Sequence, residues 1–163
     1  MNSMTEVPMS QRETTDPAAS GGRLRSAFNA AIGGLVRLGA APRDCCELLV
    51  PGRVSGRVTA RPVNVLDVGG ERYLVAPRGV TQWVRNVRAG GAATLRRGRR
   101  REAVLLSEVD DALKPPLLRE YLRRWGWQVK GFVDGLSAES SDAELAAAAP
   151  RFPVFECRPA HTP

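Results

Sequence analysis

Apolar positions along the chain change their spacing near residue 45. Between residues 24 and 38, apolar side chains recur every three or four positions, which is the spacing of one face of an amphipathic α-helix. We expect that helix to pack across the rest of the protein; a membrane-surface or dimer-contact helix is the alternative. From residue 45 onward the apolar runs are short and glycine-containing turns separate them, a pattern typical of β-strands joined by hairpins.

Six short strands are predicted after residue 45. They cover residues 45–50, 58–67, 71–76, 92–97, 99–107 and 152–157. Pro153 stands near the start of the last strand and would suit a position at the edge of a sheet. Because most consecutive strands are joined by tight turns and no βαβ alternation is present, the pattern predicts a mainly β (α+β) fold: a small antiparallel barrel with flanking helices.

Three further helices are predicted between these strands. They cover residues 81–89, 110–126 and 141–149. The first has Thr81 as its N-cap and Gly90 as its stop. The last begins with the capping box Ser141-x-x-Glu144, in which side chain and backbone satisfy each other's hydrogen bonds.

Length and composition indicate one domain that needs neither a metal nor a disulfide to fold. We expect residues 1–22, rich in Ser, Thr, Glu and Pro, to be a disordered leader, and residues 23–163 to form the domain. The cysteines, Cys45, Cys46 and Cys157, have no disulfide or metal-site spacing, which indicates a reducing compartment. No run approaches the roughly 20 apolar residues of a membrane span, and the leader has no apolar signal segment. We therefore expect a cytoplasmic protein without stable membrane insertion.

Positive charge is concentrated in the middle of the chain. The formal net charge is +7, and residues 21–101 hold sixteen Arg against four acidic residues. Arginine forms bidentate contacts with phosphate and carboxylate, so the pattern favours an anion: a nucleic acid, or a small molecule with phosphate and carboxylate groups. The densest run, residues 96–101, straddles a glycine turn, where side chains point into water. With aromatic residues at 6% and no stacking platform evident, we expect a small-molecule partner and no nucleic acid.

Two segments carry residue types that suit a ligand site. The loop at residues 51–57 holds two glycines, a serine and two arginines, which can present N–H groups, a hydroxyl and guanidinium groups to an anion. A polar hairpin turn without a ligand is the alternative. The second segment runs from a strand end at residues 75–79 into the helix that begins near residue 81, where Trp83 and Asn86 share one face. This pair suits the border of a planar ring, with core packing of Trp83 as the alternative.

Together these segments resemble the deazaflavin-dependent nitroreductase family of split-barrel oxidoreductases. The similarity covers roughly residues 47–107, with G-R-x-S-G-R, x-P-V, Y-L-V-A and W-V-R-N-x-R-A in this order. The segment R-F-P-V-F-E, within residues 150–158, is similar to the family's last strand. The resemblance implies a split β-barrel of the FMN-binding type and an oxidoreductase that uses coenzyme F420, a deazaflavin hydride carrier with a phosphate and an oligoglutamate tail.

The resemblance also implies which residues hold the coenzyme. It assigns the phosphate and tail to the 51–57 loop, the ring and ribityl chain to two strands, and closure of the site to the helix. The matching positions are Arg53, Ser55 and Gly56; Pro62 and Asn64; Ala76, Pro77 and Arg78; and Trp83 and Asn86. Two cations of the family are replaced by Val54 and Thr59, for which Arg57 or Arg61 would substitute. A split barrel that binds FMN, haem or another ligand without catalysis is therefore the main alternative.

The implied reaction is hydride transfer between F420 and an electron-poor organic substrate such as a quinone, a nitroaromatic compound or an enone. Because the coenzyme carries the chemistry, no acid–base triad is expected and no catalytic side chain is assigned. Tyr73 and Tyr121 are the only tyrosines and so the candidate proton donors besides water. Trp125, Trp127 and Phe132 either form an apolar lid over the substrate or pack in the core. Split barrels often pair, which leaves homodimer formation open.

Overall fold

Alternating polar and apolar residues form six strands in the computed structural model, which describes residues 44–160. The strands are β1 Cys45–Pro51, β2 Val58–Val68, β3 Glu71–Val75, β4 Ala92–Arg97, β5 Arg100–Glu108 and β6 Val154–Pro159. All neighbouring pairs are antiparallel in the order β1-β2-β3-β6-β5-β4, and β4 pairs with β1 to close a barrel. The predicted small antiparallel barrel is therefore confirmed.

Three helices flank the barrel, as predicted. They are α1 Gln82–Gly90, α2 Lys114–Val129 and α3 Asp142–Ala148, with single 3₁₀ turns at Asp111–Leu113 and Ala149–Arg151. The predicted capping box opens α3: Ser141 Oγ accepts a hydrogen bond from the Glu144 N–H, and the Glu144 carboxylate accepts one from the Ser141 N–H. These reciprocal bonds satisfy two donors that a helix start leaves without intrahelical partners.

Strand alternation divides the buried residues into two clusters on opposite faces of the sheet. Inside the barrel, Leu48, Leu74 and Phe155 pack together, and Trp83 and Val84 of α1 join this inner cluster. On the outside, side chains of β2, β3 and β6 form an outer cluster with α2 and α3. Buried side chains of the inner cluster thus occupy the interior of the barrel.

The prediction that the last strand lies at an edge is wrong. β6 pairs with both β3 and β5, which makes it an internal strand of the closed barrel. Pro153 lies just before β6, where the missing N–H removes no bond of the ladder. Its carbonyl accepts a hydrogen bond from the Ala76 N–H at 2.9 Å. The proline therefore marks the entry to a strand and not a sheet edge.

Both helix ends predicted from glycines are wrong by one or more residues. α1 includes Gly90, and Gly91 takes the left-handed conformation (φ 69°) that ends the helix. α2 continues past Gly126 to Val129. Trp125 and Val129 both pack into the outer cluster, and this burial outweighs the cost of about 1 kcal/mol for one glycine in a helix.

Two predictions concern residues outside the described part of the chain. The helix expected at residues 24–38 and the leader expected at residues 1–22 both lie there. The domain boundary at residue 23 therefore stays a prediction. Between residues 44 and 160, no helix is long and apolar enough to cross a membrane.

Candidate functional site

Residues 51–57, the 51–57 loop, run from the last residue of β1 to the start of β2 and are closed by their own backbone. The Gly52 N–H donates to the Arg57 carbonyl at 2.9 Å, and the Gly56 N–H donates to the Gly52 carbonyl at 2.8 Å. Gly56 takes a φ of 67°, which a side chain would disfavour. Ser55 Oγ accepts a bond from the Arg57 N–H at 3.3 Å. These bonds hold the loop in one conformation while the side chains of Arg53, Ser55 and Arg57 stay exposed.

Arg53 joins this loop to helix α1. Its Nη1 donates to Gln82 Oε1 at 2.9 Å and to Asn86 Oδ1 at 3.0 Å, and its backbone N–H donates to the same Asn86 oxygen at 3.3 Å. Gln82 and Asn86 are four residues apart and so lie on one face of α1. Both acceptors are neutral amides, so they leave the positive charge of Arg53 in place, and the guanidinium has further N–H donors for a ligand.

The N-terminus of α1 is electropositive. Thr81 occupies the N-cap position as predicted, but its side chain does not cap the helix. Its Oγ1 is buried and has no hydrogen-bond partner among residues 44–160. The first turn carries no acidic residue, and exposed Arg85 stands in it. Free N–H groups and the helix dipole at such an end favour phosphate or carboxylate.

The side chain of Trp83 lies on the buried face of α1, in the inner cluster of the barrel. Its side chain is 9% exposed, and its ring centroid is 5.5 Å from that of Phe155 at an interplanar angle of 56°. Asn86, one turn further along, is also buried. The structure thus places Trp83 as a core aromatic that supports the helix carrying Gln82 and Asn86. Its contact with a cofactor stays a prediction.

Pro62 and Asn64 share a face of β2 with Leu66, which packs in the outer cluster. Asn64 Nδ2 donates to Gln128 Oε1 of α2 at 3.2 Å, which orients the amide. At about 3.3 Å per residue, Pro62 is roughly 13 Å along the strand from Val58, where the 51–57 loop ends. A ligand that touches both the loop and these two residues must therefore be elongated.

The strand-end residues Ala76, Pro77 and Arg78 differ in exposure. Ala76 is buried, Pro77 lines a small apolar cavity beside α2, and Arg78 is exposed. The guanidinium carbon of Arg78 lies 4.2 Å from the ring centroid of Phe132, a cation–π contact. Gly79 then takes a φ of 71°, and its N–H donates to the Ala76 carbonyl at 3.0 Å. This turn leads the chain from the barrel into α1.

The two positions that depart from the family pattern offer a ligand no charge. Val54 stands at the tip of the 51–57 loop and is 91% exposed. The Thr59 hydroxyl donates to a β1 carbonyl at 3.3 Å. Of the two expected substitutes, Arg61 donates to the carbonyl of its own neighbour at 2.9 Å, and Arg57 is exposed within the loop. Arg57 therefore shares the loop with Arg53, whereas Arg61 lies within β2.

Tyr121 of α2 lies between two groups of predicted residues. Its ring lines the same cavity as Pro77, and its hydroxyl interacts with the Asn64 amide. Burial raises the pKa of Tyr121 to about 12, while the Asn64 hydrogen bond acts in the opposite direction. The phenol therefore keeps its proton at neutral pH, and Tyr121 is a hydrogen-bond donor placed beside predicted ring-contacting residues.

The three aromatic residues considered as a lid lie in different environments. Trp125 is buried in the outer cluster, with its ring centroid 5.2 Å from that of Tyr121. Trp127 is 78% exposed, and Phe132 is half-buried under Arg78. Phe132 packs against the margin of the outer cluster. The core-packing alternative holds for Trp125.

The predicted residues thus fall into two groups. The loop that carries Arg53, Ser55 and Gly56 meets Asn86 of α1 through Arg53, while Asn64, Pro77 and Arg78 lie on the side of α2 and the turn after it. Sequence reasoning missed Gln82 as the second acceptor of Arg53, and it left Tyr121 without a place. The four-residue spacing of Gln82 and Asn86 was the available signal for the first. Residues 44–160 contain no group of three or more His, Cys, Asp or Glu side chains that could hold a metal ion.

Comparison with known proteins finds solved structures that share this architecture. No protein-family model matches the chain, and no curated protein does. The solved structure of the haem storage protein HutZ from Vibrio cholerae matches over 74% of this chain and 84% of its own, with 12% identity and a TM-score of 0.51. A protein of unknown function from Agrobacterium tumefaciens matches over 96% of this chain and 60% of its own, with 14% identity and a TM-score of 0.53.

This chain is a split β-barrel. An F420-H2-dependent reductase also matches, with 16% identity over 71% of this chain and 95% of its own and a TM-score of 0.49. Identities this low establish the fold alone. The ligand must therefore be argued from the residues of this chain, since one fold carries many functions.

Proposed function

We propose that this protein binds coenzyme F420 and transfers a hydride between it and an electron-poor organic substrate such as a quinone, a nitroaromatic compound or an enone. One observation carries the proposal: Arg53 is hydrogen-bonded to Asn86, 33 positions further along the chain. The loop and the helix that carry the family resemblance are therefore in contact.

The donor set at the α1 end fits the anionic part of this coenzyme. A phosphate and several carboxylates need cationic donors and N–H groups, and Arg53, Arg57, Arg85 and the N-terminus of α1 supply them. The partners of Arg53 are amides, so its charge remains for the ligand. The buried Thr81 hydroxyl lacks a partner among the described residues and is a further candidate donor.

The α2 side fits a planar ring. Pro62, Asn64 and Pro77 offer apolar surface and an amide whose orientation is held by Gln128. When bound, the coenzyme supplies the two-electron chemistry. The chain supplies position, an anion clamp at the loop and a surface from which the helices exclude water. The elongated path from Arg53 to Asn64 suits a ligand with a ring at one end and a tail at the other.

The test is a fluorescence titration of the purified protein with oxidised F420, with FMN and haem in parallel. We expect saturable binding at micromolar concentration or tighter for F420 alone. Arg53→Ala should weaken binding at least tenfold, since hydrogen bonds to a charged group contribute about 1.5–3 kcal/mol each. Arg99→Ala, an exposed arginine at the β4–β5 hairpin, is the matched control and should bind as wild type.

The parallel titrations separate the alternatives. Binding of FMN or haem in place of F420 would identify a split barrel with a changed ligand, in line with Val54 and Thr59. Equal weakening by Arg53→Ala and Arg99→Ala would show that net charge, and not the contact between loop and helix, governs the affinity. The first result would overturn the proposed function, and the second would overturn the contact between loop and helix as its anion site.

A further inference from the structure

An open groove runs between α2 and α3. Its volume is about 490 Å³, which lies within the range of roughly 300–1,000 Å³ that small-molecule sites occupy. Four of its lining residues are alanines or prolines and four are charged, and both kinds expose surface to the groove. None of the eight is assigned to the coenzyme, so the groove stands apart from the proposed function.

The groove has an apolar end and a charged end, because the two helices run antiparallel along it. Arg119 of α2 donates to Asp142 at the start of α3 (2.7 Å). Lys114 at the start of α2 donates to the carbonyl of Ala149, just past the end of α3 (3.5 Å). The start of α2 and the end of α3 therefore form the apolar end, which is lined by Ala112, Pro115, Pro116 and Ala146.

At the charged end, the carboxylate of Glu120 is already fully engaged. It accepts two hydrogen bonds from Arg123 (2.8 and 2.7 Å) and one from Arg124 (2.7 Å). These bonds, those from Arg123 first, lower the pKa of Glu120 to about 2, so the carboxylate is ionised and paired at neutral pH. The Arg123 side chain is 63% exposed, and its Nη1 group takes no part in these bonds.

Arg119, the second arginine of the charged end, is oriented mainly by a neutral group. Its Nη1 donates to the Ala138 carbonyl, and its Nη2 donates to Asp142, whose side chain is 94% exposed. An ion pair this open to water is weak. The Nε group of Arg119 takes no part in either bond. Arg119 and Arg123 are four residues apart and therefore lie on one face of α2, where both can meet the same ligand group.

We propose that this groove binds an aromatic carboxylate, whose ring lies against the alanines and prolines and whose carboxylate meets Arg119 and Arg123. Guanidinium groups bind carboxylates through paired N–H donors, and both arginines retain such donors. A cationic ligand would find Glu120 engaged and Asp142 in water. Small side chains at the apolar end leave a surface for a flat ring, and the charged end disfavours a wholly apolar ligand, which would desolvate the arginines without pairing them.

The first test compares two ligands of similar shape that differ in charge. 2-Naphthoate and 2-naphthamide are each measured by equilibrium dialysis against the purified full chain without coenzyme. We expect saturable binding of 2-naphthoate and at least about tenfold weaker binding of 2-naphthamide, because hydrogen bonds to an ionised group are about twice as strong as those between neutral groups. Equal affinity for the two ligands would overturn recognition of the carboxylate.

The second test removes the guanidinium groups one at a time. Arg119→Gln and Arg123→Gln should each weaken 2-naphthoate binding about tenfold, because each removes hydrogen bonds to a charged group. Arg158→Gln is the matched control, since Arg158 is an exposed arginine paired with Glu156 on β6, and it should bind as wild type. If Arg119→Gln does not fold, Arg123→Gln at the more exposed position provides the result. Equal weakening in the control would attribute the binding to net charge and overturn the site.

The third test fills the apolar end from α3. Ala146→Trp should weaken 2-naphthoate binding at least about tenfold, because the indole ring occupies the space of the ligand ring. Ala147→Trp is the matched control: Ala147 is the next residue of α3, is also exposed and does not line the groove. Because both alanines are exposed, both variants should fold. Wild-type affinity in Ala146→Trp would overturn the groove as the binding site.

The groove and the coenzyme site are separated by exchanging their variants. Arg53→Ala should leave 2-naphthoate binding within about twofold of wild type, and Ala146→Trp should do the same for F420, because distant sites act independently. Loss of 2-naphthoate binding in Arg53→Ala would assign the carboxylate to the 51–57 loop and overturn the groove. Failure of F420 to bind the wild-type chain would overturn the proposed function and leave the groove intact.

Discussion

Arginine is used differently in two regions of the barrel. Near the β4–β5 hairpin, Arg72 donates to both carboxylate oxygens of Glu102 (2.9 and 2.6 Å), and Arg96 is paired with the buried carboxylate of Glu47. At the 51–57 loop, Arg53 meets neutral amides. The charges of Arg72 and Arg96 are balanced by carboxylates on other strands, and these two ion pairs hold the strands together. The charge in the second region is retained, which is what a site for an anion requires.

The two uses have different energetic consequences. Removing one partner of a buried ion pair leaves the charge of the other partner uncompensated, which costs several kcal/mol of the free energy of unfolding. An exposed arginine removed from two amides leaves groups that water can satisfy. Mutations in these two ion pairs should therefore act on stability, and mutation of Arg53 in the loop should act on binding.

The largest effect is expected at the inner cluster that supports α1. Trp83→Ala should lower the free energy of unfolding by about 3–5 kcal/mol, as large-to-small aromatic changes in cores do. It should also weaken F420 binding, because α1 carries both acceptors of Arg53. Trp83→Phe keeps a ring against Phe155 and should largely restore both properties. Wild-type F420 affinity in folded Trp83→Ala would remove Trp83 from the site. The measurements are urea unfolding and the F420 titration.

The next largest effect is expected at the buried ion pair between Glu47 and Arg96. Glu47→Ala should lower the free energy of unfolding by about 3 kcal/mol, since Glu47 is 3% exposed and its loss strands Arg96. Arg53→Ala should cost less than about 1 kcal/mol in the same urea experiment. A double change, Glu47→Leu with Arg96→Leu, should recover most of the loss. Equal destabilisation by Glu47→Ala and Arg53→Ala would contradict the distinction drawn between the two regions.

A smaller effect appears as a pH dependence at Arg72 and Glu102. The hydrogen bond from Arg72 holds the pKa of Glu102 below its ordinary value. A depressed folded-state pKa gives stability that is present above the unfolded value, about 4.3, and lost as the pH falls through the folded value. Because Glu102 is partly exposed, the contribution should be below about 1 kcal/mol. Urea unfolding of wild type and Glu102→Gln should differ at about pH 6 and converge near pH 3; a difference that persists in acid would exclude the ion pair as its source.

Local sequence patterns predict most of the fold for physical reasons that this chain illustrates. Alternation and tight turns predict all six strands with bounds within two residues of those observed, and the capping box at Ser141, a short-range signal, is predicted correctly. The end of α2 is not predicted correctly, because packing of Val129 in the outer cluster decides where the helix ends. The internal position of β6 also depends on barrel closure, which no local pattern records.

The sequence predicts the separate parts of the candidate site but not the contacts between them. The 51–57 loop and the α1 motif are recognisable as separate segments, and their contact through Arg53 requires the closed barrel. Tyr121 has no distinguishing neighbour in sequence, since Asn64 and Pro77 reach it from different strands. Trp83 shows the converse: an aromatic that suits a ring-binding site in sequence lies in the core in the structure. Contacts distant in sequence therefore account for what the pattern alone leaves out.

The smallest expected effect separates stability from binding at a single hydroxyl. Thr81 Oγ1 is buried without a partner among the described residues, so Thr81→Val, a change of similar shape, should leave the free energy of unfolding unchanged or raise it by a few tenths of a kcal/mol. If the hydroxyl donates to an anion at the start of α1, the same change should weaken F420 binding several-fold. Thr81→Ser keeps the hydroxyl and should bind as wild type. A protein that becomes more stable while binding less well would identify Thr81 as a residue retained for its ligand; unchanged affinity would confine the anion site to the arginines and backbone N–H groups.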